Sequence, residues 1–473
     1  MVTAKAKPVL IIGAGVAGGV VAEVLSKNRN REFEPVGFVD DDPEKQQKIL
    51  HGLPVLGTRE DIPALVRRLN IEEIIIAIPS ARGQVVSQIV EICQRSRARL
   101  KILPGFYDLI TGRIKISKIR DVEIDDLLGR EPVFLNVEQV AGYLAGRTVL
   151  ITGAGGSIGS ELSRHLARFS LKKLILLGRG EGSIYEIESD LRDNYPGLGM
   201  EAEIGDIRDR PRMDKIFGSH KPDVVFHAAA HKHVFYMERC PDEAVKNNII
   251  GTRNVAEAAF RNGVGTFILI SSDKAVNPAS IMGATKRVAE MIIQTMNDRG
   301  GTRFAAVRFG NVLGSRGSVV PLFKRQIARG GPVTITHPGM VRYFMTTGEA
   351  AQLVIEAGAL ARGGEIFVLD MGRPVKIIDL ARNLIRLSGY EPGKDIRFRF
   401  TGMRPGEKLV EQLVGDDEEV VPTGHKRIFA ISGRRWEPAK LKALLDAFEN
   451  PGFSYQEREI IALLQTVLPD FKK

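Results

Sequence analysis

Short apolar blocks alternate along this chain with longer stretches whose apolar residues recur at helical spacing. The first block, Pro8–Ile12, runs into Gly13-Ala-Gly15-Val-Ala-Gly18. Strand-like runs follow at Pro35–Val39, Glu73–Ile78 and Arg99–Leu103, among helical stretches at Val16–Ser26, Arg59–Leu69 and Gly83–Ser96. Such alternation predicts a parallel sheet with helices on both faces. This unit ends near Phe106. Ile114–Leu135 reads as an irregular connector carrying short strands, and Val137–Leu144 as a short helix leading into a second unit.

The second unit repeats the pattern at greater length. Its strands are predicted at Thr148–Thr152, Lys173–Leu177, Met200–Ile204, Asp223–Ala228, Thr266–Ile270 and Arg303–Arg308. Helices fall at Ser157–Phe169, Ser183–Tyr195, Ala244–Asn262 and Ser280–Asp298. From Gly314 the pattern breaks into shorter pieces, including Thr347–Ala361, Lys376–Ser388 and a C-terminal helix, Gln456–Leu468. A small lobe over the carboxyl edge of the sheet is the natural place for a substrate. The predicted fold is therefore α/β, with two doubly wound parallel-sheet domains, 1–106 and 147–473, joined by a connector at 107–146.

Composition narrows the classes. The 473-residue chain is 44% apolar and 26% charged, which excludes large-scale disorder. Ile74–Pro79 and Thr266–Ile270 are among the longest apolar stretches, far short of the roughly 18–20 residues of a membrane span. The N-terminus enters a strand-like block without the apolar core of a secretory leader, so a soluble, cytoplasmic protein is predicted. Cys93 and Cys240 have no partner at metal-ligand spacing and read as reduced thiols. The 67 basic and 57 acidic residues leave a net charge of +10, which suits an anionic partner. Those basic residues are dispersed and not interleaved with aromatics, which argues against nucleic acid and for a phosphorylated small molecule.

Candidate chemistry concentrates in the second unit. Gly153, Gly156 and Gly159 allow a tight turn and close approach of backbone N–H groups to a pyrophosphate. The helix beginning at Ser157 and Ile158 directs its positive end there. The next strand ends in Gly178-Arg179. An acidic residue at that point bonds the ribose hydroxyl of NAD, whereas an arginine pairs with the 2′-phosphate of NADP. Arg179 thus favours NADP, with NAD as the alternative. Asp206 and Ile207 follow the third strand, where a carboxylate either contacts adenine or merely ends a strand. Met282 and Lys286 share one helix face, and Met282 takes no proton. Asp273 and Lys274, after the preceding strand, are the available proton carriers. His227, His231 and His233 cluster without a carboxylate partner, and no metal site is predicted. In the first unit, Gly13, Gly15 and Gly18 with Asp40 form an NAD-like fingerprint that no catalytic pair accompanies. Ligand binding and a degenerate fold used for assembly or regulation both stay open for it.

Seven segments occur in one order: Thr152–Gly159, His227–Val234, Ser272–Pro278, Met282–Arg287, Arg308–Gly314, Arg342–Met345 and Arg404–Lys408. With the Asp126–Pro132 connector they resemble the UDP-N-acetylhexosamine 4,6-dehydratases of capsule and glycan biosynthesis, CapD-type extended short-chain dehydrogenases, over nearly the whole chain. The resemblance implies two Rossmann-like domains, the second an extended short-chain dehydrogenase with a C-terminal substrate lobe. It also implies an internal redox cycle. Hydride leaves sugar carbon 4, a proton leaves carbon 5, the carbon 6 hydroxyl departs as water, and hydride returns to carbon 6. By position, Lys274 is the base at carbon 5 and Asp273 the acid for the leaving hydroxyl. Ser272 bonds the 4-hydroxyl, and Lys286 holds the nicotinamide ribose. Ala228, Ala229 and Asn248 stand near the cofactor, though buried capping explains Asn248 equally well. Lys232, His233 and Asn311 line the sugar pocket, and Arg342 and Arg404 suit bidentate pairing with the UDP diphosphate.

Three departures matter. Met282 stands where most short-chain dehydrogenases carry tyrosine, a replacement that one branch of the dehydratases shares. Ser272 replaces the usual threonine, keeping the hydroxyl, and the membrane spans of many relatives are missing. Which group removes the 4-hydroxyl proton is open, with ionised Asp273 the first choice. A homo-oligomer, a dimer or larger, is expected. A UDP-sugar 4-epimerase and a non-catalytic nucleotide-sensing scaffold are the competing readings.

Overall fold

The computed structural model describes residues 6–27, 32–81, 83–103, 119–127, 136–432 and 437–473. They form two compact units. One takes Met1–Pro132 with Gln326–Val333 and Asp379–Phe398; the other takes Val133–Arg325, Thr334–Ile378 and Arg399–Lys473. The expected end at Phe106 and most of the expected connector, Ile114–Leu135, lie outside the described residues.

In the first unit the strand Lys7–Ile12 lies between Phe33–Val39 and Glu73–Ile76, followed by Arg99–Ile102, all parallel. Arg120–Asp121 adds an antiparallel edge. Alternate side chains serve opposite faces, as strand geometry requires. Val9 and Ile11 pack on Ala17, Val21 and Leu25 of the helix Val16–Ser26. Leu10 and Ile12 pack with Leu65 and Ile89 on the other side.

The second unit is built on nine strands. Their order is Met200–Ile204, Lys173–Gly178, Thr148–Thr152, Val224–His227, Thr266–Ile270, Arg303–Arg308, Ile366–Leu369, Ile428–Ser432 and Glu419–Pro422. The first seven run parallel; Ile428–Ser432 pairs antiparallel with Ile366–Leu369, and Glu419–Pro422 pairs antiparallel with Ile428–Ser432 in turn. Each central strand is buried along its length, so its apolar run is continuous rather than alternating. Leu150, Val225, Phe267 and Phe304 face one layer of helices, including Gly251–Arg261 and Ile281–Asn297. Ile151, Phe226, Ile268 and Val307 face the other, including Ser157–Leu166 and Thr347–Leu360.

Winding reverses at Thr148–Thr152, because the chain moves outward to Met200–Ile204 and then returns on the opposite side at Val224–His227. That switch opens a crevice at the carboxyl ends of these two strands. No helix among the described residues is long and apolar enough to cross a membrane.

Two helical expectations need revision. The stretch Ala244–Asn262 is not one regular helix: Pro241–Ala244 leads into a π-helical Val245–Ile250 before Gly251–Arg261 resumes. The polar helix Arg210–His220 went unpredicted, although Asp209 caps it by accepting from Arg212 N–H at 3.0 Å.

Candidate active site

The crevice deepens into a cavity of about 820 Å³. The glycine turn forms one end. Gly153 has φ +66°, and a side chain there would strike the backbone of Ala229 at 2.8 Å. A Cβ at Gly159 would lie 2.2 Å from the Gly153 carbonyl oxygen, so only glycine lets the helix start this close to the strand. Gly156, Ser157, Ile158, Gly159 and Ala228 all line the cavity. These residues fit a dinucleotide pyrophosphate: a glycine-rich backbone turn at the start of a ten-residue helix.

At the centre, Ser272 follows the strand Thr266–Ile270 by two residues and caps the turn Asp273–Ala275 through its hydroxyl. That hydroxyl donates to Asp273 Oδ1 at 2.8 Å. Lys274 Nζ donates to the same oxygen at 3.0 Å and to Asn311 Oδ1 at 3.2 Å. The turn packs tightly because the next helix has glycine at 283, where a Cβ would lie 2.3 Å from the Lys274 carbonyl oxygen. Ser280 caps that helix, accepting from Gly283 N–H at 3.0 Å. Met282 and Lys286 then face the cavity from the helix's first turns. Lys286 Nζ donates to the Ile270 carbonyl oxygen, and burial pushes its pKa down to about 8 against the opposing pull of Glu290. Burial likewise disfavours the Lys274 ammonium, but Asp273 and Glu411 outweigh it and hold that pKa above the ordinary lysine value.

Beneath the site runs an ion network out of reach of water. Arg308, fully buried, binds both oxygens of Glu290 at 2.7 and 2.8 Å and both of Glu418 at 2.6 and 2.9 Å. Ser271 donates to Glu290 at 2.6 Å, which ties the strand end carrying Ser272 to this network. Removing one member of such a network would strand a buried charge.

Lys232, His233, Asn311, Arg342 and Arg404 line the cavity beside Ser272 and Lys274. Arg342, however, is not a free fork. Its Nη1 donates to the carbonyls of Val341 and Leu409 at 2.7 and 3.1 Å, so it braces the segment before Glu411. Arg404 is exposed, its guanidinium 5.3 Å from the centre of the Phe235 ring.

Several expected residues stand off the cavity wall. Asp273 is wholly buried behind Ser272 and Lys274. Asn248 accepts from His231 N–H at 2.8 Å and donates to the His231 carbonyl and to Thr285. It therefore holds the wall from behind rather than facing a cofactor. Ile207 is buried against Gly251. Asp206 is bound by the Arg208 guanidinium at 2.7–3.1 Å, and Arg179 lies 3.7 Å away from it, half exposed. His227 is pinned between Thr152 and Thr252 at 2.6 and 3.0 Å, and burial pushes its pKa down to about 3. A neutral histidine so held is structural.

Three residues escaped the sequence reading. Glu411 approaches Lys274 within 3.6 Å. Arg208 competes with Arg179 for Asp206. Arg316 donates its N–H to Ser157 Oγ at 3.0 Å and its Nη1 to the Gly155 carbonyl at 3.1 Å, strapping the glycine turn. None belongs to a short motif; only the proximity of Glu411 to Arg404–Lys408 was a signal.

In the first unit, Gly13 has φ +100° and Gly18 would carry a Cβ 1.9 Å from the Gly13 carbonyl oxygen. Asp40 does not project free toward a ribose. Its Oδ2 accepts from Ala14 N–H at 2.8 Å and from Lys45 at 3.0 Å, and its Oδ1 from Asp42 N–H at 3.0 Å. Gly15 has open space around it.

Residues 149–433 match a family described as polysaccharide biosynthesis protein, and residues 3–104 one described as CoA-binding domain. The probable polysaccharide biosynthesis protein EpsC of Bacillus subtilis strain 168 is 53% identical over 410 residues, 86% of this chain and 68% of that protein. A UDP-N-acetylglucosamine 4,6-dehydratase (inverting) of Campylobacter jejuni strain 81-176 is 36% identical over 61% of this chain and 83% of its own. A UDP-glucose 4-epimerase of Rickettsia canadensis is 35% identical over 58% of this chain and 79% of its own. Among solved structures, Pen from Bacillus thuringiensis aligns with a TM-score of 0.57 at 35% identity, covering 62% of this chain and 90% of that one. From the glycine turn to the last strand of the large sheet, the chain belongs to the polysaccharide biosynthesis protein family.

Proposed function

We propose that the protein is a UDP-N-acetylhexosamine 4,6-dehydratase, with UDP-GlcNAc as substrate and NADP, or alternatively NAD, as resident cofactor. The observation that carries this reading is that Ser272 and Lys274, both on the cavity wall, donate to one oxygen of Asp273 buried behind them, at 2.8 and 3.0 Å. A 4-epimerase has no elimination to perform and no need of a paired acid and base. A nicotinamide held by the glycine turn and Lys286 would supply the acceptor for hydride from carbon 4 and the donor of hydride to carbon 6.

The chain's own groups manage the protons. The active state has Asp273 ionised and Lys274 neutral. The 4-hydroxyl proton passes to Ser272 Oγ, whose own proton goes to Asp273, so Met282 need carry none. Asp273 is then the acid and Lys274 the base that elimination requires. Lys274 removes the carbon 5 proton, while Asp273, buried behind the wall, passes its proton through the Ser272 hydroxyl to the departing carbon 6 hydroxyl, which leaves as water. Asp273 is left ionised and Lys274 charged, and Lys274 returns a proton to carbon 5. One water is lost, both residues regain their starting states, and the cofactor's redox state is unchanged. Lys286 holds the ribose, and Arg404 at the mouth is the free fork for the diphosphate.

The test is turnover of UDP-GlcNAc by purified protein in deuterated water. A product lighter by one water, with deuterium at carbon 5 and no build-up of reduced cofactor, is expected. Lys274→Ala should slow water loss about 100- to 10,000-fold. An isomer of unchanged mass from the wild type would make the protein an epimerase, and unimpaired dehydration by Lys274→Ala would remove the lysine from its role.

A further inference from the structure

Lys274 lies between two buried carboxylates from distant parts of the chain. Asp273 is its neighbour; Glu411 comes from the segment after Arg404–Lys408, its Oε1 3.6 Å from Lys274 Nζ. Glu411 is 4% exposed. Its Oε2, like Asp273 Oδ2, is buried without a hydrogen-bond partner among the described residues. A carboxylate left half-satisfied in so dry a place is costly to keep. The segment is held in place by Arg342, which grips the Leu409 carbonyl at 3.1 Å and lies 3.8 Å from Glu411 itself. Nothing in the proton cycle above uses Glu411.

We propose that Glu411 is a positioning residue that keeps Lys274 charged and drawn back against the wall, and so sets the pH at which Lys274 becomes a base. The inference rests on Lys274 being the carbon 5 base. Since elimination begins from neutral Lys274, every charge facing its ammonium tunes the fraction of competent enzyme. Asp273 and Glu411 favour the charged form, while Arg342 and Lys408 oppose it and Asn311 is neutral. Lys408 points its own Nζ at the Val276 carbonyl at 2.8 Å. Glu411 is the one carboxylate of the set that is free of a role in catalysis, so its removal isolates the effect.

Competitive acetylation of the full-length protein with acetic anhydride across a pH series, read at Lys274 by mass spectrometry, measures this directly. The midpoint in the wild type should lie above that of an ordinary lysine. In Glu411→Gln it should fall by about 1–3 pH units, and in Glu411→Asp it should stay high. The acid limb of the dehydration profile should move down with it, at unchanged cofactor retention. An unchanged midpoint in folded Glu411→Gln would overturn the proposal. So would a wild-type midpoint at or below the ordinary lysine value, a result that needs no variant to fold. An isomer of unchanged mass from the wild type would fail the dehydratase reading instead, while the acetylation midpoint would still show whether Glu411 holds Lys274.

Discussion

Two strand–turn–helix corners of this chain carry glycine-rich turns of similar but not identical spacing and put them to different uses. Both meet the same steric demand: a Cβ at Gly18 or Gly159 would lie 1.9 or 2.2 Å from a carbonyl oxygen of its own turn. In the first corner the acidic residue of the fingerprint closes the turn, Asp40 accepting the Ala14 N–H. In the second, Arg179 ends the corresponding strand half exposed, and the turn opens into a cavity that also holds Lys274, Met282 and Lys286. Glycine spacing therefore reports how closely a helix packs on its strand. Chemistry depends on what else converges there.

Paired substitutions test that distinction most strongly. Gly159→Ala should overpack its turn at a cost of about 1–3 kcal/mol and, on our reading of the site, release the nicotinamide cofactor during purification. Gly18→Ala should destabilise the first unit similarly, visible as a lowered first melting transition, with dehydration intact. Loss of turnover in Gly18→Ala at full cofactor occupancy would end the contrast by giving the first unit a part in catalysis.

Next in size is a pH effect confined to the second corner. Burial lowers the Lys286 pKa to about 8, and a phosphate-bearing ligand nearby must raise it. Binding then takes up a proton, so cofactor affinity should fall as pH rises above 8, by at most about tenfold per unit. Below pH 8 the lysine is already charged and affinity should level off. Calorimetry in buffers of different ionisation heat would register the proton, and Lys286→Met should abolish the uptake. Wild-type affinity that is flat from pH 7 to 9.5, roughly the span over which such a lysine titrates, would sever Lys286 from the cofactor.

The smallest effect concerns cofactor choice. Arg179→Asp should shift preference from NADP toward NAD by roughly fivefold at most, the size of an exposed ion pair. The limit is low because Arg179 is half exposed and Asp206, already held by Arg208, partly neutralises it. Competition binding of the two dinucleotides would sharpen the comparison. A wild type that holds only NAD, with preference unmoved by the substitution, would leave Arg179 without a role.

The elements were legible where the signal is local. Thr148–Thr152, Thr266–Ile270 and Arg303–Arg308 form strands over the predicted residues, because a parallel strand buried on both faces is largely apolar, and Met200–Ile204 at the sheet edge shows instead the apolar–polar alternation of a half-exposed strand. The Ser272–Lys274 turn and the Met282–Lys286 helix face are equally local, and both reach the cavity. Arg210–His220 was missed because a helix half in solvent has a weak apolar stripe. The π-helical turn at Val245–Ile250 was missed because it follows from Asn248 bonding a distant segment, His231 and Thr285.

By itself, then, the sequence determined the two doubly wound sheets, the glycine corners and the acid–base turn, since each is written in residues within a few positions of one another. Tertiary structure alone decided that Asp40 seals its corner, that Arg342 braces a loop, that Glu411 faces Lys274, and that Arg308 meets Glu418 across 110 residues. Those contacts depend on which buried charges come to share one low-dielectric space. Spacing along the chain carries no record of that, because a buried charge finds its partner by packing.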